Sequence, residues 1–419
     1  MKIAFLASRK GYFKVMGSLI QAAVDRGHAV VLVRDPTQRK KGEATTEDDF
    51  KHWPAARVID HEWGSPLLPT LKEERAEALI APSLHMLLKA MNLEGEVQEM
   101  REAGVRLYSV DYGLETVTSK AEGYRLVDVT FYQSDFQRRL HWQERMADFA
   151  ALGPEVDLQT RSAVCGSTMM DQLALVTDRA SVRRKYRLPP DKPIVLFMSL
   201  KMAVPEPWRT FVWGSPWRAV REALRRQPAA AVRMAGEIAT GLVDRLCRGS
   251  GYRRLIESVR RFCEASGAVL VVKSREKNED PPFLRELTPY TFLDDNVFPY
   301  TSIELMAVAD LCIHFQSGAV LEAAFCGVPS LSIKVPPPYE RDLPAYQETW
   351  GAEPGTLQNF EGVVWSVDVR KAADFLRGRK LGDFRVDSEA RRAYVKKYLG
   401  FGDTRSSQRV LDVIERALD

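Results

Sequence analysis

At 419 residues the chain is longer than one hydrophobic core usually supports, so two domains facing a cleft are expected, with a single elaborated domain as the competitor. Its 45% hydrophobic and 28% charged residues are the balance of an ordinary globular protein and exclude a disordered chain. With 60 basic against 56 acidic residues the formal charge is +4, too small to argue for nucleic acid as a partner.

The chain opens with MKIAFLASRKGYF, in which KIAFLA reads as a buried strand and the apolar run is too short for a secretion leader. SLIQAAVDRGHAVVLV then gives a helix, a turn at Gly27 and a second strand. Short apolar strands continue in ALIAPSLHML, GVRLYSVDYG, VDVTFYQS and RSAVCGS, alternating with charged helical stretches. This pattern predicts a parallel sheet covered on both faces. The polar, basic stretch DQLALVTDRASVRRKYRLPPDKP reads as a linker, and IVLFMSL after it as a new buried strand. A helix near 251–266, the strand AVLVVKS, the helix SIELMAVA, the strand DLCIHF, the helix AVLEAAFCG and the strand SLSIKV make a second alternating unit. Helices over 387–418, joined by the turn YLGFGDT, close the chain. The expected domains are 1–175, 176–386 with an insertion near 202–250, and the closing helices 387–419.

Nowhere do about 18 uncharged apolar residues run together, so no membrane-spanning helix is expected. Cys165, Cys247, Cys263, Cys312 and Cys326 are odd in number and form no CxxC pair, which signals neither a disulfide framework nor a zinc site and fits a reducing cytoplasm. The insertion carries Trp208, Trp213 and Trp217 among many arginines. Two readings stand: a helix pair with a solvated arginine face, or a basic aromatic lip that touches a membrane surface or an acidic acceptor.

Ligands on open parallel sheets bind beyond the carboxyl ends of the strands, where loops lead into helix N-termini. HFQSGAVLEAAFCGVPSLSI, residues 314–333, is such a place. Gly318 lets the backbone approach an anion, first-turn amides point outward, and Ser317 adds a hydroxyl as cap or ligand, which suits a diphosphate. Glu322, one turn on, is within range of the hydroxyls of a ribose beside that phosphate; an ordinary capped core helix is the competing account. Upstream, the Pro-Tyr-Thr turn of NVFPYTSIELM places Tyr300 and Thr301 to offer a stacking face and backbone groups to a base. Lys273 and Arg275 end a strand as cations for a leaving diphosphate, or as solvated charges. His314 is either a satisfied core histidine or a contact to the sugar. His28 reads as a turn or packing group, and His85 and His141 show no partner pattern.

The order KSRE, VFPYTSIELM, HFQSGAVLEAAFCGVPSLSI and GFGDTRSSQRVLDVI resembles the C-terminal half of GT-B nucleotide-sugar enzymes, especially the non-hydrolysing UDP-N-acetylglucosamine 2-epimerases and the CDP-glycerol glycerophosphotransferases. VDYGLET, AEGYRLVD and VCGSTMMDQL are similar to epimerase segments of the first domain. The resemblance covers most of the chain outside 35–75 and 202–250, and implies an α/β GT-B fold of two Rossmann-like parallel-sheet domains facing a cleft. It implies diphosphate binding at Ser317 and Gly318, ribose binding at Glu322, and proton handling at Asp111 and Glu122. SRKGYFKVMGSLIQAAVDRGHAVVLV is similar to the first strand, loop and helix of GT-B glycosyltransferases, where Arg9, Lys10, Gly11 and Tyr12 approach the acceptor or the donor phosphate. Two departures stand out. The epimerase segment with a catalytic aspartate appears as IAPSLHML, and its strand-end histidine is replaced in FMSLKMAV by Lys201.

These departures rank epimerisation below transfer. The expected protein is a metal-independent GT-B glycosyltransferase that needs no cofactor beyond its nucleotide-sugar donor, UDP favoured, and serves cell-surface glycan or glycoconjugate synthesis on an unidentified acceptor hydroxyl. Asp111 is the first candidate for the base and Glu122 the second. Neither GxxxxGK[ST] nor HExxH occurs, so the sequence signals no P-loop and no zinc-protease site. A UDP-sugar 2-epimerase, a glycerophosphotransferase using a cytidine nucleotide, and a non-catalytic nucleotide-binding GT-B protein are the alternatives.

Overall fold

The computed structural model describes residues 1–37, 44–111, 121–143, 161–199, 251–274, 283–293, 296–335, 347–349, 351 and 353–418, with the backbone alone at 121–123, 142–143, 251–252, 283 and 418. Lys201, Arg275 and the insertion with Trp208, Trp213 and Trp217 lie outside the described residues. The chain divides into two compact units: Met1–Thr177 with Asn296–Glu304 and Arg392–Asp419, and Asp178–Asp295 with Leu305–Arg391. No helix among the described residues is long and apolar enough to cross a membrane.

In the first unit β1 (Lys2–Leu6), β2 (Ala29–Arg34), β3 (Arg57–Asp60), β4 (Ala78–Pro82), β5 (Arg106–Asp111), β6 (Val129–Tyr132) and β7 (Ser162–Val164) form one parallel sheet in the order β3-β2-β1-β4-β5-β6-β7. The apolar runs of the central strands serve two cores, one per face. Ile3, Phe5, Leu32 and Ile80 join Phe13, Met16, Leu19 and Ile20 of helix α1 (Phe13–Asp25) on one side. On the other side Ala4, Leu6, Val31, Val33 and Leu79 join Leu84, Leu87 and Leu88 of helix α2 (Leu84–Ala90). Burying side chains of this kind contributes about 1.5–3 kcal/mol each.

ALIAPSLHML reads as one apolar strand in the sequence, and the structure divides it. β4 ends at Pro82, Ser83 turns through the left-handed region at φ 49°, and α2 begins at Leu84. Proline donates nothing to the ladder and marks where pairing stops. The consequence is that His85 stands in the first turn of a helix at a strand's carboxyl end.

Helix α3 (Asp135–Gln143) follows β6. The stretch read as a linker is in part built structure: Gln172 Nε2 donates to Phe13 O at 3.2 Å and to Lys14 O at 2.8 Å, both on α1.

In the second unit β8 (Ile194–Met198), β9 (Val269–Lys273), β10 (Thr291–Phe292), β11 (Leu311–His314), β12 (Ser330–Lys334) and β13 (Val364–Asp368) form a parallel sheet ordered β10-β9-β8-β11-β12-β13. Val195, Phe197, Val272, Ile313 and Leu331 pack on Leu255, Val259 and Phe262 of helix α4 (Gly251–Ala265). Helix α5 (Thr301–Val308) precedes β11, and helix α6 (Ala319–Cys326) connects β11 to β12. α6 ends on Gly327 at φ 74°, and Arg391 donates through Nε to Ala324 O at 2.7 Å and through Nη2 to Phe325 O, a cation on the helix's negative end.

Helix α7 (Ser388–Leu399) and helix α8 (Ser406–Leu418) end the chain. Asp171 accepts from Ser406 N at 3.0 Å and caps α8, while burial pushes its carboxyl up against those hydrogen bonds. Arg26 pairs with Asp412 and Glu415, and His28 Nε2 lies 2.8 Å from Glu415 Oε1, which gives His28 the structural role its turn position suggests. In each sheet the strand order reverses direction once, between β1 and β4 and between β8 and β11, and open α/β sheets bind ligands beyond the carboxyl ends at such points.

Candidate functional site

In the second unit the reversal point is marked by His314, the last residue of β11. Lys273, Met198, His314 and Ser332 stand in register across β9, β8, β11 and β12 and therefore share one face of the sheet. His314 is fully enclosed and its Nδ1 accepts from Ser317 N at 3.2 Å, which places its proton on Nε2. Burial pushes the imidazole down to about 3, so it stays neutral. Because the folded value lies below the ordinary 6.5, the stability it supports is fully present above pH 6.5 and is lost as the pH falls toward 3. Thermal melts of the wild type from pH 7 to pH 4 are expected to decline more steeply than those of His314→Gln, which has nothing to protonate there; equal slopes would remove His314 from the acid response.

The turn after β11 is tightly accounted for. Gln316 sits at φ 36°, Ala319 N donates to Ser317 Oγ at 3.3 Å, Val320 N to Ser317 O at 3.3 Å and Leu321 N to Gly318 O at 2.9 Å. The expectation of several outward first-turn amides is therefore corrected: those of Ser317, Ala319, Val320 and Leu321 are used inside the protein. Gly318 N keeps no partner among the described residues, Gly318 is exposed, and a Cβ built on it meets nothing within 4 Å. Its φ of −58° is open to any residue, so the protein itself places no demand for glycine here. The Ser317 hydroxyl, whose oxygen already accepts from Ala319, keeps its hydrogen to donate.

Glu322 is 1% exposed, and its charge is among the causes that hold the Cys312 and Cys326 thiols up, after burial. Its carboxylate is therefore enclosed in the protein rather than at the surface. Lys273 is buried at the end of β9.

In the first unit the carboxyl ends of β4, β5 and β6 converge on Asp111. Its carboxylate is enclosed and accepts from Ser109 Oγ at 3.0 Å, with His85 Nδ1 at 3.9 Å from Oδ1 and His141 Nδ1 at 3.8 Å from Oδ2. Ser109 Oγ also accepts from Leu84 N at 3.1 Å and lies 3.2 Å from His85 Nδ1. Tyr124 stacks on His85 with ring centroids 4.5 Å apart, and its hydroxyl lies 3.3 Å from His141 Nδ1. Tyr132 completes the group: burial, then the charges of Tyr124 and Asp111, hold its phenol well above the ordinary range. A buried carboxylate between two imidazoles and two phenols is equipped to take up and return protons. His85, His141, Tyr124 and Tyr132 were not in the sequence-derived set.

Glu122 falls in the short turn of helix Ala121–Leu126, at residues 121–123, where only the backbone is described. Arg9 sits at 6.0 Å over the Tyr12 ring, and Lys10 Nζ lies 3.7 Å from Asp49 Oδ1, at the end of β1 with Gly11 exposed between them. Tyr300 and Thr301 belong to the first unit rather than to the one that carries Ser317. Tyr300 is buried, its N donates to Gln172 Oε1 at 2.7 Å, Lys14 Nζ lies 5.6 Å over its ring, and Thr301 Oγ1 accepts from Asn296 N at 3.1 Å. These bonds hold the turn in place within that unit. Among the described residues no three His, Cys, Asp or Glu side chains form a group able to hold a metal ion.

No protein-family model matches the chain, and no curated protein matches it in sequence. Solved structures do. The UDP-GlcNAc 2-epimerase of Methanocaldococcus jannaschii, in complex with UDP-GlcNAc and UDP, superposes at a TM-score of 0.53 with 10% identity over 99% of this chain and 100% of that one. The wall teichoic acid polymerase TagF, in a variant soaked with CDPG, gives 0.54 with 10% identity over 100% and 88%. The glycotransferase of kitacinnamycin gives 0.51 with 14% identity over 100% and 99%. These neighbours are GT-B proteins. At such identities the likeness establishes the fold, and the chain has the two parallel-sheet α/β domains of GT-B.

Proposed function

We propose, with the GT-B fold as premise, that this chain is a transferase that takes a nucleotide-activated sugar, UDP favoured, and moves the sugar to an acceptor hydroxyl. The observation that carries the reading is Gly318, an exposed residue whose N–H has no partner among the described residues and at which a Cβ would meet nothing within 4 Å, at the N-terminus of α6 and beside the sheet's reversal point. In this reading Gly318 N–H and Ser317 Oγ–H donate to the diphosphate, Lys273 and Arg275 neutralise it as it leaves, Glu322 receives ribose hydroxyls and His314 lies nearest the sugar. The acceptor oxygen forms its bond to the anomeric carbon as the bond to the diphosphate breaks, and Asp111 takes the acceptor's proton. Arg9, Lys10, Gly11 and Tyr12 serve the acceptor side. Two of the structural neighbours were solved with UDP, which supports the choice of nucleotide.

Gly318→Ala tests the assignment without disturbing the fold. The new methyl meets no protein atom within 4 Å and suits the backbone, so melting is expected to hold or rise slightly. UDP affinity, measured by calorimetry, is expected to fall about tenfold or more, because the methyl occupies the anion's approach. Unchanged affinity would reject the site.

A specific observation favours a second reading, epimerisation of a UDP-sugar. The segment whose missing aspartate ranked that reaction lower places His85 3.9 Å from Asp111, so a second proton-handling group stands beside the first. Incubating UDP-GlcNAc with the protein in deuterium oxide and no acceptor separates the two: deuterium in the sugar supports epimerisation, and its absence supports transfer.

A further inference from the structure

We infer that Gln358 is a positioning residue for the diphosphate: with the Val320 N–H, which donates to the same Ser317 carbonyl, it fixes the direction in which the Gly318 amide points. The inference rests on the nucleotide reading above and adds to it a residue with no motif of its own, 41 positions from Ser317 in the chain.

Gln358 is 1% exposed. Its Nε2 donates to Ser317 O at 3.3 Å, and its Oε1 accepts from Ser332 Oγ at 2.8 Å. A carbonyl oxygen can only accept, so the amide cannot be flipped, and Ser332 on β12 holds the other end. Ser317 C=O and Gly318 N–H belong to one planar trans peptide, in which the two bonds point in opposite directions. Gln358, together with the Val320 N–H that donates to the same carbonyl at 3.3 Å, holds the Ser317 carbonyl on one side and so keeps the N–H of Gly318, an exposed residue, on the opposite side of the peptide. The preceding peptide is pinned independently, because Ser317 N–H is taken by His314 Nδ1 at 3.2 Å. His314 Nε2, fully enclosed, has no hydrogen-bond partner among the described residues. Two side chains from separate strands and loops thus immobilise both peptides around Ser317, and the donor that remains is fixed before any anion arrives. A donor that is already oriented binds without the cost of ordering it.

The experiment is a double-mutant cycle read by calorimetry with UDP as the probe, alongside thermal melts. Gln358→Leu removes both hydrogen bonds, and Gln358→Glu keeps the shape but cannot donate to Ser317 O. Each is expected to weaken UDP binding about tenfold. Because Gly318→Ala acts on the same amide, the double variant Gln358→Leu/Gly318→Ala is expected to bind little worse than either single variant. UDP affinity within twofold of the wild type for both Gln358 variants, or losses that add fully in the double variant, would overturn the inference while leaving the nucleotide site in place. A lowered melting temperature with unchanged affinity would also overturn it, because it would show a structural role only. A wild type that binds neither UDP nor CDP would overturn the inference together with the reading beneath it.

Discussion

Under the proposed function, Asp111→Asn is expected to lower turnover of the UDP-sugar donor by about 10²–10⁴-fold, the range that general acid–base catalysis supplies, while UDP binding stays at the wild-type level. The substitution keeps shape and keeps an oxygen for the Ser109 hydroxyl, which lies 3.0 Å away, so the packing of the enclosed site is preserved. What it removes is the ability to hold a proton between His85 and His141, at 3.9 and 3.8 Å. Turnover is measured as UDP release or as deuterium incorporation, according to which reaction the wild type performs. A change confined to kcat locates Asp111 in the chemical step. Near-normal turnover with normal UDP affinity would remove it from the chemistry under either reading.

The parallel architecture was legible because buried strands write themselves as apolar runs: IVLFM and SLSIK became β8 and β12. The Ser317–Gly318 turn was legible as a strand end leading into a helix. How its amides are spent was not, since the acceptors are His314 Nδ1 and Ser317's own Oγ and carbonyl, and only folded geometry decides between those and an external anion. His85 was set aside as a histidine without a partner pattern because the strand reading ran through Pro82 and Ser83; a break at that proline would have put it on a helix start. His141 carries no local signal at all, being brought to Asp111 by pairing of β5 with β6 and by the helix that follows. Gln358 is the plainest case of the same limit. Its meaning is a hydrogen bond to a residue 41 positions away, and polar pairings at that range leave no periodicity to read. Tyr300 is the converse: its motif was visible, and what the sequence did not show is that Gln172 and Lys14 contact it within the first unit.

Gly400→Ala is expected to destabilise the first unit by about 3 kcal/mol, a loss reserved for strain and clashes that cannot relax. Gly400 follows α7 and holds φ at 78°, the left-handed conformation that ends helices and that a side chain disfavours. A Cβ there would stand 2.4 Å from Gln133 O and 3.4 Å from Ser134 Cα, main-chain atoms that no rotamer change can move. The effect reaches the candidate site by a short path. Gln133 N donates to Gln137 Oε1 at 2.9 Å, Gln137 N to Ser134 Oγ at 3.2 Å, and Gln137 Nε2 to Asp111 O at 3.3 Å. Pushing Gln133 aside therefore shifts the support of the Asp111 peptide as well as loosening the turn. Gly402→Ala is the matched control, since its Cβ meets only Val395 Cγ1, at 3.8 Å, and it is expected to melt like the wild type. A fall in melting temperature of roughly 6–12 °C for the first variant, with turnover lost in the fraction that remains folded, is the expected pair of results. Equal melting of the two variants would show that Gln133 and the turn after α7 yield to each other, and would break the link drawn here between that turn and Asp111.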